Sequence, residues 1–221
     1  MNERELTGYP SIDKPWQQYY SEEALHAPLP ACTVWENIYE RNKAHPDDTA
    51  LLYFGKKISY GKLFSEVDRT ARALAHLGVK NGDNAAVCMP AVPEAIYTIL
   101  ALNKLGANAG MLNPTFSEAR LTERVNEMEA DVLLVVNELY PVVHNVILKT
   151  TVRHVVTCPA VNSLGAFARL AKKAKPIPGT ISWNTFIRQG QGTAYEIAPY
   201  EKQKPAIMVF SSGTTGASKG I

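Results

Sequence analysis

The densest run of chemically capable residues is SSGTTGASKG at 211–220, where Ser, Thr and Gly fill every position except Ala217 and Lys219. Glycine tolerates positive φ and lets successive backbone amides point into one anion-binding nest. Hydroxyls at Ser211, Ser212, Thr214 and Thr215 add short donors without bulk, and Lys219 adds a point charge that can follow a phosphate oxygen. Together with the amides around Gly213 and Gly216, these groups suit a loop that wraps phosphate. A flexible Gly/Ser tail is the plain alternative, although linkers seldom follow a buried strand without a break.

Two better-known loops share part of this composition. A Walker loop needs Gly-Lys-Ser/Thr in direct succession, but here Ser218 precedes Lys219 and Gly220 follows it. The run Gly216 to Gly220 also spells the Gly-x-Ser-x-Gly of a nucleophile elbow. An elbow serine sits directly after a strand, whereas the strand expected here ends near Phe210. Its acid and histidine partners should follow, and only Lys219, Gly220 and Ile221 do. Context argues against the hydrolase reading and spacing against the Walker one.

The elements that must carry this loop are legible upstream. AIMVF at 206–210 reads as a buried strand feeding directly into the loop. Before it, strands and helices alternate. AAVCM, ANAGML, DVLLVV and VRHVVTC read as strands, and PEAIYTILALNKLG, SEARLTERVNEMEA and YPVVHNVIL as helices between them. Pro93 suits the first turn of one helix and Gly106 its end. GKLFSEVDRTARALAHLG puts Leu63, Val67, Thr70, Ala71, Leu74 and Leu77 on one helical face, with Gly78 as the stop. Thr33 and Glu36 fit a capping box opening TVWENIYERN. ALLYFGKKISY reads as two strands around a Gly55-Lys56 turn. Strands apolar on both faces need helices on both sides, so the expected class is α/β, a mostly parallel sheet flanked by helices. Residues 1–32 lack a period and read as an extended arm, and 159–204 as a surface excursion with one short strand, ISWNTF. The loop would then leave the C-terminal edge of the sheet, where open α/β folds bind ligands.

Bulk properties narrow the class of partner. Lys and Arg number 23 against 21 Asp and Glu, a balance that argues against nucleic acid. Arg169, Lys172, Lys173 and Lys175 form one local basic cluster, suited to phosphates or a membrane surface but more simply a solvated helix end. Cys32, Cys88 and Cys158 match no paired-ligand spacing, and the five histidines match none either, so no metal ligand is assigned. Cys88, within AAVCM, is expected to be a buried, inert thiol. The longest apolar candidate, from Ala85, is broken by Pro90, Pro93, Glu94 and Lys104, too early for a transmembrane helix. The N-terminus MNERELTGYP lacks a signal-peptide core, so the expectation is a soluble, cytoplasmic protein.

SSGTTGASKG resembles the phosphate loop of the adenylate-forming (AMP-binding) enzymes, the superfamily of acyl- and aryl-CoA synthetases, luciferases and adenylation domains. ISYGKLFSEVDRTARALAHLGVKNGDNAAVCMP and EAIYTILALNKLGANAGMLNPTFSEARLT follow the family's run of helix, Gly-Asp turn, strand, helix and Asn-Pro. Residues 33–221 look like the first two-fifths of such an enzyme. Two positions depart from the pattern: Ser218 stands where the family usually has Pro, and Lys62 where Glu would complete a capping box. KPWQQYY, and VRHVVTC with the basic stretch after it, look most like the long-chain fatty acyl-CoA ligases.

The resemblance implies ATP-dependent activation of a carboxylic acid, with a fatty acid the leading candidate, as an acyl-adenylate and then its transfer to CoA, with Mg2+ on the ATP. It implies that Ser211, Ser212, Gly213, Thr214, Thr215, Gly216 and Lys219 hold the β- and γ-phosphates. It also implies that the adenine, ribose and Mg2+ contacts and the C-terminal lid domain lie beyond Ile221, so this stretch alone is expected to be inactive. The rival class is a stand-alone, non-catalytic α/β module that binds a nucleotide or a partner. Peripheral membrane contact, and self-association through apolar surface the remaining domain would cover, are further expectations.

Overall fold

The computed structural model describes residues 7–164 and 176–210. Residues up to Ala31 form one compact unit and Cys32 onward a second. In the first unit, α1 (Pro10–Asp13), a 3-10 turn (Pro15–Tyr19) and α2 (Glu22–His26) follow one another. Its backbone is therefore locally coiled where the sequence suggests an extended arm. Asp13 accepts from the Thr7 and Gly8 amides, and Ser21 caps α2 by accepting from the Ala24 amide.

The second unit begins with α3 (Val34–Asn42), entered through the expected capping box of Thr33 and Glu36. β1 (Thr49–Tyr53) and β2 (Lys56–Ser59) form an antiparallel hairpin. Its turn is Phe54-Gly55, one residue earlier than the sequence suggests, with φ of 45° and 80°. Two successive positive φ values match a tight turn whose twist follows that of the strands. α4 (Tyr60–His76) follows at once, with Ser59 accepting from the Lys62 amide.

Six parallel strands make the main sheet: β3 (Asn84–Cys88), β4 (Asn108–Met111), β5 (Val132–Val136), β6 (His154–Cys158), β7 (Ile181–Ser182) and β8 (Ile207–Val209). Their spatial order is β7-β6-β5-β3-β4-β8. The connections are α5 (Pro93–Leu105), α6 (Glu118–Glu127) and α7 (Tyr140–Ile147), with α8 (Trp183–Gln189) after β7. The chain runs from β3 outward to β4 and then returns to build β5 and β6 on the other side of β3. That reversal makes the β3/β5 boundary the switch point of a doubly wound sheet.

Successive residues of each strand alternate between two cores, as a pleated strand requires. Ala85, Val87, Val132 and Leu134 join Leu63, Val67, Leu74 and Leu102 on the face covered by α4, α5 and α8. Ala86, Cys88, Leu133 and Val135 join Leu121, Val125, Val143 and Val146 under α6 and α7. Helices thus cover both faces, as the sequence leads one to expect.

Two local expectations are corrected. ISWNTF is a strand only at Ile181–Ser182; from Trp183 it is helical, because Ser182 accepts from the Thr185 amide and caps the turn. Trp183, Phe186 and Ile187 then bury at helical spacing, which the alternation of ISWNTF conceals. AIMVF is an edge rather than a buried strand, with Ile207 38% and Val209 53% exposed. Among the described residues its sole ladder partner is β4, so one side of it lacks a neighbour.

Candidate functional site

Ser211, Ser212, Gly213, Thr214, Thr215, Gly216 and Lys219 lie outside the described residues, as do Arg169, Lys172, Lys173 and Lys175. What is described is the framework that leads to the loop. β8 pairs with β4 in the register Ala109↔Ile207, Gly110↔Met208 and Met111↔Val209. Phe210 follows, buried in the core beneath α6. The Arg124 guanidinium stands 5.4 Å from the centre of its ring, paired with Glu127 and Glu123. Phe210 thereby anchors the point at which the chain enters Ser211.

The neighbouring β4 ends in a loop with defined hydrogen bonds. The Leu112 amide donates to the Val87 carbonyl at 2.9 Å. Asn113 Oδ1 then accepts from both the Thr115 amide (3.0 Å) and the Thr115 hydroxyl (2.8 Å). This Asn turn hands the chain to Ser117, which caps α6 by accepting from the Arg120 amide. The Asn113 and Thr115 groups therefore stand at the C-terminal end of β4, the strand that pairs with β8. β4 is close-packed beneath them: a side chain at Gly110 would meet Met128 Sδ at 1.9 Å.

β7 and β8 occupy opposite edges of the sheet, so the chain must cross a face between them. A partly buried polar cluster pins that crossing. Asp68 accepts from the Tyr195 hydroxyl (2.5 Å), Arg72 Nε (2.8 Å) and Lys104 Nζ (3.2 Å). Lys104 Nζ lies 4.7 Å from the Trp35 ring centre and 5.1 Å from that of Tyr195, a cation held between two aromatic faces. Arg72 also donates to the Thr193 carbonyl at 3.0 Å, and the Ala198 amide donates to the Lys104 carbonyl at 3.0 Å. Burial alone would raise the Asp68 pKa, but the hydrogen bonds from Tyr195, Arg72 and Lys104 outweigh it and hold the carboxyl below its usual value. Burial, then the Asp68 carboxylate, pushes the Tyr195 phenol up.

Sequence reasoning missed these buried charges. Glu94 and Lys104 count there only as breaks in an apolar run, yet they are 1% and 6% exposed, and Arg124 is 3% exposed. Helical spacing was the available signal, since Lys104 and Ala101 share a face one turn apart. The cysteines behave as expected: burial raises Cys88 to about 11 and also pushes Cys158 up, which leaves both as thiols rather than nucleophiles. Among the described residues no group of three or more His, Cys, Asp or Glu side chains could hold a metal ion. No described helix is long and apolar enough to cross a membrane.

Residues 38–221 match the family model described as AMP-binding enzyme. Among curated relatives, acetyl-coenzyme A synthetase 1 of Candida albicans is 31% identical over 185 residues, covering 80% of this chain and 27% of that protein. The chain spans about a quarter of the length of the curated relatives it matches. Among solved structures, an anthranilate CoA ligase in complex with anthranoyl-AMP superposes with a TM-score of 0.74 at 26% identity, covering 87% of this chain and 35% of that one. A long-chain-fatty-acid-CoA ligase from Archaeoglobus fulgidus shares the fold, with a TM-score of 0.68 at 20% identity over 88% of this chain and 37% of that one.

Proposed function

Because the chain belongs to the AMP-binding enzyme family, we propose that it supplies the triphosphate-binding portion of an AMP-forming acid–CoA ligase. The observation that carries this reading is the family match running through residue 221, which includes the whole Ser/Thr/Gly/Lys loop after β8. In the proposed reaction a carboxylate oxygen of the acid attacks the α-phosphorus of ATP. Pyrophosphate leaves and an acyl-adenylate forms. The thiol of CoA then attacks the acyl carbon, forming the thioester and releasing AMP.

Amides around Gly213 and Gly216, hydroxyls of Ser211, Ser212, Thr214 and Thr215, and the Lys219 ammonium would hold the β- and γ-phosphates. Their contribution is positioning, together with neutralisation of charge on the departing pyrophosphate. Mg2+ would come bound to the nucleotide and supply charge neutralisation at its phosphates. The substrate proposed is a fatty acid, on the strength of KPWQQYY and of VRHVVTC with the basic stretch after it, and the proposed setting is the cytoplasm.

Pyrophosphate release tests this directly. A protein carrying this chain together with the remainder of the domain should release pyrophosphate from ATP and an acid, across a panel from acetate to long-chain fatty acids. Lys219→Ala should raise the KM for ATP about tenfold or more, consistent with loss of one charge-assisted phosphate contact. The 221-residue chain alone should release none. Turnover by the chain alone, or an unchanged KM in the variant, refutes the assignment.

A further inference from the structure

The β1–β2 hairpin has one face that the fold uses and one that it leaves bare. The cross-strand pair Leu51–Ile58 turns inward, where Ile58 is 3% exposed. Tyr53 and Lys56 form the next inward pair and tie the hairpin to the segment after β6. The Tyr53 hydroxyl donates to the Ala160 carbonyl at 2.9 Å, and Lys56 Nζ to the Ser163 carbonyl at 2.7 Å. Lys56 and Ser163 line one cavity of about 600 Å3. The pair between them, Leu52–Lys57, turns outward, and Leu52 is 72% exposed.

Phe54 leads the turn at a φ of 45° and is 84% exposed. Two-residue turns with positive φ at both positions favour Asn-Gly or Asp-Gly, and a bulky side chain there is an outlier. The Phe54 ring meets Tyr53 edge-on at 4.9 Å between centres, a contact that leaves most of it in water. Neither the turn nor the core accounts for an aromatic residue at this position. Strain held at an exposed tip points to a use for the side chain.

Charge identifies the partner. From Thr49 to Ser65 the chain carries Lys56, Lys57 and Lys62 and no acidic residue. Asp47 and Asp48 precede β1, at the end of the hairpin away from the turn. Glu66 is already shared between Lys62 at 2.6 Å and Arg69 at 2.8 Å. The surroundings of the tip are thus cationic. Two apolar side chains fall well short of the roughly 1,000 Å2 that a stable protein interface requires. An aromatic tip beside cations instead suits the boundary layer of an anionic bilayer, where rings sit at headgroup depth and lysines meet negative lipid.

We propose that the hairpin tip docks on an anionic lipid surface, with Phe54 and Leu52 entering the headgroup layer and Lys57 against the anionic headgroups. Nothing in the adenylation reading requires this contact, and its test contains no ATP, so either proposal can fail alone.

Co-sedimentation of the 221-residue chain with vesicles tests it, using phosphatidylcholine alone and an equimolar mixture with phosphatidylserine. The mixed vesicles should be bound about tenfold more tightly, and high salt should erase the preference. Phe54→Asn should weaken binding about tenfold. It should also raise the thermal midpoint of the free chain, because Asn adopts the positive φ that Phe resists. A variant that is more stable yet binds less cannot owe the loss to unfolding. Lys57→Glu, at an exposed strand residue, should weaken binding about tenfold and keeps the test valid if Phe54→Asn lowers the midpoint. Phe54→Trp should keep binding and add an emission component that shifts to the blue on mixed vesicles. Equal binding to both vesicles, or none, overturns the proposal. So does binding indifferent to Phe54→Asn and Lys57→Glu, the result expected if Arg169, Lys172, Lys173 and Lys175 carried it instead. Dimerisation that Phe54→Asn abolishes overturns it too, since the occupant would then be a second copy of the chain.

Discussion

Replacing Gly190 by Ala tests the close packing of α8 against α4. Gly190 closes α8 with φ of −75°, a conformation any residue adopts. On backbone grounds alone the substitution should stabilise the chain by about 0.4–1 kcal/mol. Its new Cβ, however, would lie 2.4 Å from Ala73 Cα and 2.5 Å from Ala73 N, where ordinary contact begins near 3.4 Å. These are backbone atoms in the middle of α4, so no rotamer change relieves the clash and α8 must move by about 1 Å. Overpacking of this kind costs roughly 1–3 kcal/mol and outweighs the backbone gain. For a chain of this size each kcal/mol shifts Tm by about 2–4 °C, so a drop of several degrees is expected. Urea denaturation should show a lower midpoint at unchanged slope. Ala73→Gly should fail to restore full stability, because it removes only the Ala73 Cβ at 2.9 Å and leaves the two closer backbone atoms in place. A Gly190→Ala protein as stable as the parent, or fully rescued by Ala73→Gly, would refute the close approach of α4 and α8.

Further outcomes follow from the buried polar groups. Lys104→Met removes the cation between Trp35 and Tyr195 and should cost about 1–2 kcal/mol in urea denaturation, discounted because Asp68 is partly solvated and keeps Arg72 and Tyr195. The folded Asp68 pKa is held low, so its contribution is present above the unfolded carboxylate value of about 3.9 and is lost as pH falls through the folded value. Asp68→Asn should therefore flatten the acid limb of stability against pH, and an unchanged limb would contradict the cluster. Asn103→Ala deprives the Trp35 amide of its acceptor at 2.8 Å and should cost about 1–2 kcal/mol, read from the thermal midpoint. A thiol reagent at pH 8 should modify Cys32 quickly and reach Cys88 and Cys158 only on unfolding, because burial keeps both as protonated thiols.

The alternation of strands and helices was legible because β5 throughout, and β3 after Asn84, are apolar and admit no solvated face. Thr33 and Glu36 announced α3 through side chains that act on their own backbone, which is a local rule. The errors arose where tertiary context decides. Ile181, Trp183 and Thr185 fall at alternate positions like strand residues, yet the Ser182 cap and the burial of Trp183 and Phe186 make the stretch from Trp183 helical. Glu66, Glu94, Lys104 and Arg124 look like surface charges until their partners are known. Lys56 and Ser163 are 107 positions apart, so no short pattern could reveal that they frame one cavity. The loop proposed to hold phosphate was the reverse case: Ser211 to Lys219 suggested it by composition, and they lie outside the described residues.

The strand order also sets a timetable for synthesis. β4 is made long before β8, and its outer edge waits while residues 112–206 emerge. At about 5–20 residues per second on the ribosome, that wait is roughly 5–20 s. An unpaired edge over such a time is an invitation to other nascent chains. β4 limits the hazard by being only four residues long, NAGM, with Gly110 offering no side chain to grip and Asn108 turned to bond Asn84. A strand that must stay available for its last partner is thus also a poor template for the wrong one.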